Sequence, residues 1–399
     1  MNRLSKHRRQ FPGLPGPIPG LVGLALLVGT ALLPAGENGS SHAGCAFRGW
    51  TRFDDWPREE NLESRGWTST SPVLAPGFDW DELVVSWNAT TPRGSGLVVE
   101  AQPVLAGEAP PFYTLGRWAL EPGEFKRESV PGQRDRWGEV NTDTLVLREP
   151  ARGVRLRLRA LAGEAGALPE LRFLGASFLR REWSPQTLPP NRAAWGRTID
   201  VPRRTQADYP EGINEWCSPT SLSMVLAWWG GKLGRDELIH DVRDVARGVH
   251  DPAWPGTGNW PFNTAYAGSF TGIRAYVTRL TEVAEIEAWI AAGIPVIASV
   301  DYDRLRARTD SRGSGHLIVV VGFTVQGDVV VNDPGSRARM RNTFPRADFV
   351  AAWKHSRQTV YLVHPESAPV PEPVLGHWFA GPVRTADATG DDGGTGEPR

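Results

Sequence analysis

Cysteine is nearly absent from this chain of 399 residues: Cys45 and Cys217 are the two it has. Two thiols in different segments cannot make a disulfide framework, so each is expected to be free, with a Cys45-Cys217 bridge as the alternative. A dominant charge is also absent. Lysine plus arginine number 44 and aspartate plus glutamate 45, a formal net charge of -1. That excludes a global attraction to nucleic acid or to an anionic membrane, so partners must be recognised locally. Long apolar runs are missing beyond residue 33, and a spanning helix needs about 20 consecutive apolar residues. What is plentiful is proline (34), glycine (44) and tryptophan (17), the composition of a loop-rich globular protein. The length exceeds one typical core and implies two domains plus tails.

Residues 1–45 read as an export leader. Arg3, Lys6, Arg8 and Arg9 precede a Pro/Gly spacer and an apolar run over residues 21–33, the order of a secretory signal peptide. Cleavage between Pro34 and Ala46 is expected. Ala43-Gly44-Cys45 resembles the end of a bacterial lipoprotein signal, in which Cys45 would carry the lipid, and an uncleaved anchor is a further alternative. The protein is therefore expected outside the cytoplasm, secreted or at the cell surface, touching a membrane only through its N-terminus.

Residues 46–183 alternate in short segments between Pro and Gly turns. Strands are expected over residues 83–88, 96–101, 144–147 and 154–159. In the last, Val154, Leu156 and Leu158 point one way and Arg155, Arg157 and Arg159 the other, as a half-solvated antiparallel strand requires. Several such strands without helical periodicity predict an all-β sandwich, jelly-roll-like. Trp80, Trp87, Trp118 and Trp137 are then either core residues, the favoured reading, or platforms for a carbohydrate ligand. The prolines of residues 184–198 read as a linker, residues 199–365 as a second domain, and the Pro-, Gly- and acid-rich residues 366–399 as a disordered tail.

Chemistry concentrates in the second domain. Leu222, Val225, Leu226 and Trp229 recur at helical spacing, Ser218-Pro219-Thr220 suit a helix start, and Gly230-Gly231 are expected to end it. Cys217 thus lies at the positive end of a helix dipole, which favours the thiolate. A helix over residues 282–292 with Val283, Ile286, Trp289 and Ile290 on its apolar face leads to a buried strand over 294–300. Strands over 316–323 and 329–331 then flank a turn at 325–328. Antiparallel pairing brings His316, at the start of one strand, and Asp333, at the end of its neighbour, to the same end of the sheet. A thiolate, an imidazole to exchange its proton and a carboxylate to orient the ring are the parts of a nucleophilic relay. Asn332 is the rival for the third place, because alternation lets only one of the two adjacent residues meet His316.

Gln206, Trp216-Cys217-Ser218-Pro219-Thr220-Ser221 with Met224, Gly315-His316-Leu317-Ile318-Val319-Val320 with Gly322-Phe323, and Val331-Asn332-Asp333-Pro334 resemble the papain-like bacterial cysteine peptidases. The branch they are most similar to is that of the bacteriocin-processing, double-glycine leader peptidases. The resemblance covers roughly residues 201–365. It implies an α+β papain-like domain after the sandwich, with Cys217 as nucleophile, His316 as general base and acid, Asp333 as orienting group, and Gln206 donating its side-chain amide to the oxyanion. Ser218 stands where a glycine is common, and about ten residues separate Gln206 from Cys217, a longer loop than in papain. The transporter form of the family also carries membrane and nucleotide-binding domains. None is recognised here, so a free-standing secreted form is expected.

The expected activity is hydrolysis of peptide bonds in a peptide or protein through an acyl-enzyme. The alternatives are a thiol amidase or acyltransferase acting on cell-wall peptides, or an inactive protein that binds the wall or a partner, with the sandwich supplying a ligand site. No cofactor or metal is expected: His240 and His250 flank Asp241 and Asp244, but no tight ligand pair with a third partner occurs.

Overall fold

The computed structural model describes residues 44–61, 65–107, 109–184, 187–308 and 313–381. The leader and its apolar run lie outside these residues. Among those described, no helix is long and apolar enough to cross a membrane.

The N-terminal half is two facing sheets. One has the order β1 (Cys45–Trp50), β10 (Glu170–Leu179), β4 (Trp80–Thr90), β8 (Thr144–Ala151), β7 (Gly138–Asn141). The other has the order β2 (Arg58–Asn61), β3 (Gly66–Thr70), β9 (Gly153–Leu161), β5 (Gly96–Val104), β6 (Tyr113–Trp118). Consecutive strands cross between the sheets from β3 to β4 to β5 and again from β8 to β9 to β10, the winding of a jelly roll. Val154, Leu156 and Leu158 are at most 1% exposed. On the other face Glu100 accepts from Arg157 Nε at 2.7 Å and Arg159 Nε at 3.1 Å. Trp80, Trp87 and Trp118 are fully buried, Trp87 and Trp118 each packing against Phe262 of the other half. They are core and offer no carbohydrate platform.

The C-terminal half is built on an antiparallel sheet. Its order is β11 (Ile273–Arg279), β16 (Thr359–Pro365), β12 (Val296–Asp301), β13 (Gly315–Phe323), β14 (Val329–Asn332), β15 (Arg341–Phe344). Against it pack α1 (Cys217–Leu233), α3 (Trp260–Ala267), α4 (Val283–Ala291) and α6 (Arg346–Trp353), with α2 (Val242–Val249) against α1 and α5 (Tyr302–Leu305) after β12. Helix α1 does not stop at Gly230-Gly231. It ends at Gly234 in the left-handed conformation, φ 64°. Gly230 is needed for clearance instead, since a Cβ there would stand 2.6 Å from Ile239 Cγ1 and 2.9 Å from the Arg235 oxygen. Nor is α1 amphipathic: every residue from Ser218 to Gly230 is buried, as befits a helix walled in on all sides.

The two halves share one hydrophobic core and lie within one compact unit, Ala35–Arg399. β11 is an edge strand, and its open backbone is satisfied by side chains of β4. Asn88 Nδ2 donates to the Ala275 oxygen at 2.6 Å, while the Ala275 and Val277 amides donate to Asn88 Oδ1 at 3.1 Å and Ser86 Oγ at 2.9 Å. The carboxylate of Glu82 pairs with Arg279 and Arg357, Glu82 and Arg279 being fully buried.

The expectation of a loosely attached linker is corrected by Glu287, a buried acceptor on α4. It takes the Asn191 amide at 2.6 Å and Trp195 Nε1 at 2.7 Å, so these residues are docked rather than slack. The expectation of a disordered tail from residue 366 is corrected as far as residue 381. Leu375, His377 and Trp378 are buried, the Phe47 amide donates to the Gly376 oxygen at 2.9 Å, and His377 Nδ1 meets Glu285 Oε1 at 2.7 Å. The rest of the tail lies outside the described residues.

Cys45 sits in β1 at 1% exposure, its thiol donating to the Arg279 oxygen at 3.6 Å. Both cysteines are free thiols.

Replacing Asn88 with alanine leaves two backbone groups of β11 without partners. The expected loss is about 2–4 kcal/mol, measurable as a lowered denaturant midpoint. By the same reasoning a fragment of residues 199–365 should be insoluble or unfolded. Its recovery as a soluble, cooperatively melting protein would show that β11 needs no cover.

Candidate active site

Cys217 is the first residue of α1 and is half-buried; its amide belongs to the turn whose donors have no intrahelical acceptor. The chain reaches it through two tight 3₁₀ turns, Gln206–Asp208 and Pro210–Gly212. Gly212 is obligatory there, because a Cβ would stand 2.0 Å from the Trp216 ring. These turns take up the long loop. Ser218 is accommodated because its hydroxyl is buried against Tyr361 Oη at 3.1 Å.

His316 and Asp333 meet as the hairpin predicts. β13 and β14 pair Val319 with Asn332 and Val320 with Val331, which sets His316 and Asp333 at one end of the sheet. His316 Nε2 lies 2.8 Å from Asp333 Oδ1 and donates to it, which leaves Nδ1 as the ring nitrogen that can serve the Cys217 thiol. Asn332 points elsewhere. Its Nδ2 donates to the Val201 oxygen at 3.1 Å and its Oδ1 accepts from Arg341 Nε at 2.9 Å. The structure thus joins Asp333, not Asn332, to the imidazole.

Gln206 lies 7% exposed beside this cluster, its amide and the Thr205 hydroxyl both donating to the Pro334 oxygen at 2.9 Å. The side-chain Nε2 donates to the Ile213 oxygen at 2.6 Å. That acceptor fixes the amide orientation and leaves one N–H uncommitted.

Two residues of the cluster went unread in the sequence. Tyr302 donates to Asp333 Oδ2 at 2.9 Å, and its ring lies over the imidazole with centroids 4.0 Å apart and planes at 32°. Arg306 in turn donates to the Tyr302 oxygen. Gly335 donates its amide to Asp333 Oδ1 at 2.9 Å, and a Cβ there would meet Tyr302 Oη at 2.8 Å and His316 Cε1 at 3.1 Å. A signal for Tyr302 existed: β12 pairs Val300 with His316, so a residue just beyond β12 falls at the same sheet end.

Burial opposes charge on all three central groups. It would raise the Cys217 thiol, but the hydrogen bond and charge of His316, with the Leu317 and Ser218 amides, hold that thiol below its ordinary value. It would lower His316, but Asp333 and Cys217 raise the imidazole to about 9. It would raise Asp333, but His316, the Gly335 amide and Tyr302 keep it below the usual carboxylate range. The favoured state is a thiolate beside an imidazolium.

His240 and Asp241 serve local structure: His240 Nε2 meets the Glu237 oxygen at 2.7 Å, and Asp241 caps α2 through the Arg243 amide. Among the described residues no group of three or more His, Cys, Asp or Glu is placed to hold a metal ion.

Residues 198–361 match the peptidase C39-like family, and residues 48–178 match the peptidase C39 N-terminal domain. The chain carries a C39-like peptidase domain behind a C39 N-terminal domain. It is a cysteine peptidase whose papain-like domain follows a β-rich N-terminal domain. A crystal structure from Bacillus anthracis, described as that of a C39-like peptidase, is similar at 19% identity over 42% of this chain and 97% of that one, with a TM-score of 0.32. No curated protein matches the chain.

Replacing Asp333 with asparagine removes the charge that raises His316 and so weakens the imidazolium that holds the thiolate. The pH midpoint for alkylation of Cys217 by iodoacetamide should move upward in this variant. An unchanged midpoint would remove Asp333 from the electrostatics of the thiol.

Proposed function

We propose that the peptidase works through Cys217 as nucleophile, His316 as general base and acid, and Asp333 as the group that orients and charges the imidazole. The observation that carries this is the hydrogen bond of the Asp333 carboxylate to His316 Nε2 at 2.8 Å, beside a Cys217 thiol that His316 holds below its ordinary value. The thiolate attacks the scissile carbonyl. The imidazolium gives its proton to the leaving amine, and an activated water then releases the acyl group. The Cys217 amide and the uncommitted Nε2–H of Gln206 would receive the oxyanion. The substrate is a peptide or protein, and the leader supports work outside the cytoplasm.

Cys217→Ala should abolish turnover of a fluorogenic peptide library while leaving the melting temperature near that of the parent. His316→Ala should be nearly as severe, Asp333→Ala milder, and Asn332→Ala should act through stability rather than kcat. Gln206→Ala should lower kcat by about 10²–10³ with little change in KM. Full activity of Cys217→Ala would end this reading, and cleavage of muropeptides with none of the library would turn it to a wall amidase. Mass spectrometry of the native protein should find the mature chain starting after residue 33.

Because His316 must carry its proton to serve the leaving group, kcat/KM should fall as pH rises through about 9. It should also fall on the acid side as the thiolate is protonated. A rate still rising well above that point would mean that the imidazolium is not used.

A further inference from the structure

Where the halves meet, away from Cys217, a recess of about 140 Å³ is lined by five basic side chains. Arg180 and Arg181 come from the sandwich, and Arg279, Lys354 and Arg357 from the peptidase half. Nearby carboxylates are already engaged. Asp81 faces Arg181 at 3.3 Å and Arg180 at 3.8 Å, the exposed Glu182 lies 3.5 Å from Arg180, and Glu82 holds one edge of Arg279 together with Arg357. Positive charge remains in excess.

Arg279 is the decisive residue. It is 1% exposed, yet its Nε and Nη1 have no hydrogen-bond partner. A buried guanidinium with two idle donors is costly unless something accepts from them. Backbone strain falls in the same place. Arg357 and Gln358, both lining the recess, take consecutive positive φ values of 52° and 55°, a conformation unfavourable for non-glycine residues.

We propose that this recess binds a small tetrahedral oxyanion, inorganic phosphate or a phosphate monoester, held among the basic side chains that line it above the buried Arg279 and bridging the two halves. Planar forked guanidinium donors suit such an oxyanion in bidentate geometry. The ligand would be held from both sides of the seam, so its binding is linked to the association of the halves. None of the recess-lining residues belongs to the proposed relay.

The test is thermal unfolding of the full chain titrated with inorganic phosphate at constant ionic strength, with chloride as reference. A saturable rise in Tm is expected. Lys354→Glu, an exposed change that leaves the core intact, should raise the apparent Kd by about tenfold or more, and Arg180→Gln should weaken binding in the same direction. A rise no larger than in chloride, or equal affinity in Lys354→Glu, would overturn the proposal. So would protection by an Asp-Asp dipeptide with none by phosphate, since the recess would then take carboxylates instead.

Discussion

The open edge of β11 is the constraint around which this molecule is arranged. A strand at the end of a sheet presents unpaired amides and carbonyls, and water, another strand or side chains must satisfy them. Here Ser86 and Asn88 do so from β4, and the whole of β11 is buried. β4 is consequently buried on both faces, unlike a half-solvated sandwich strand, and carries polar residues inward where they find backbone partners. The N-terminal domain is therefore part of the peptidase's own sheet architecture. The hairpin of the candidate site, β13 and β14, lies toward the other side of that sheet, three strands in from the capped edge.

The parts legible in the sequence were those whose signal is local. Alternation in Val154 to Arg159 gave the face of β9, and the turn at residues 325–328 gave the hairpin that aligns His316 with Asp333. The two-residue period of a strand left room for only one of Asp333 and Asn332, the family resemblance chose Asp333, and the hydrogen bonds of Asn332 to Val201 and Arg341 are the other half of that alternation. Where a signal depended on distant partners, it misled or was silent. Gly230 and Gly231 read as a helix end, yet the space beside α1 demands a residue without Cβ at Gly230 and the helix continues. Tyr302 and Gly335 carry no motif. They matter because the sheet brings them against His316.

Buried carboxylates account for the remaining departures. On α4 the apolar face of Val283, Ile286, Trp289 and Ile290 is as periodicity requires, but Glu285 and Glu287 are buried as well. A buried carboxylate must collect donors, and each of these collects them from a segment that composition marks as loose. Glu287 holds Asn191, Trp195 and Arg346, while Glu285 holds His377 and caps its own helix. Proline-rich stretches that each carry one tryptophan thus become straps rather than linkers. Composition averages over the few residues that anchor such a strap.

The same donor counting explains why the third member of the cluster is an aspartate where a neutral asparagine can orient an imidazole. Asp333 receives His316 Nε2 and the Gly335 amide on one oxygen and the Tyr302 hydroxyl on the other. An asparagine amide oxygen could still take the first two. Its NH₂ would then face a hydroxyl whose oxygen already accepts from Arg306 and whose proton would have lost its acceptor. Only a group that accepts on both oxygens satisfies all three donors, and such a group is ionised. Its charge then raises His316, and the imidazolium in turn lowers the Cys217 thiol. Tyr302 and Arg306, remote from any sequence motif, thereby help to determine the protonation state of the thiol at the start of α1.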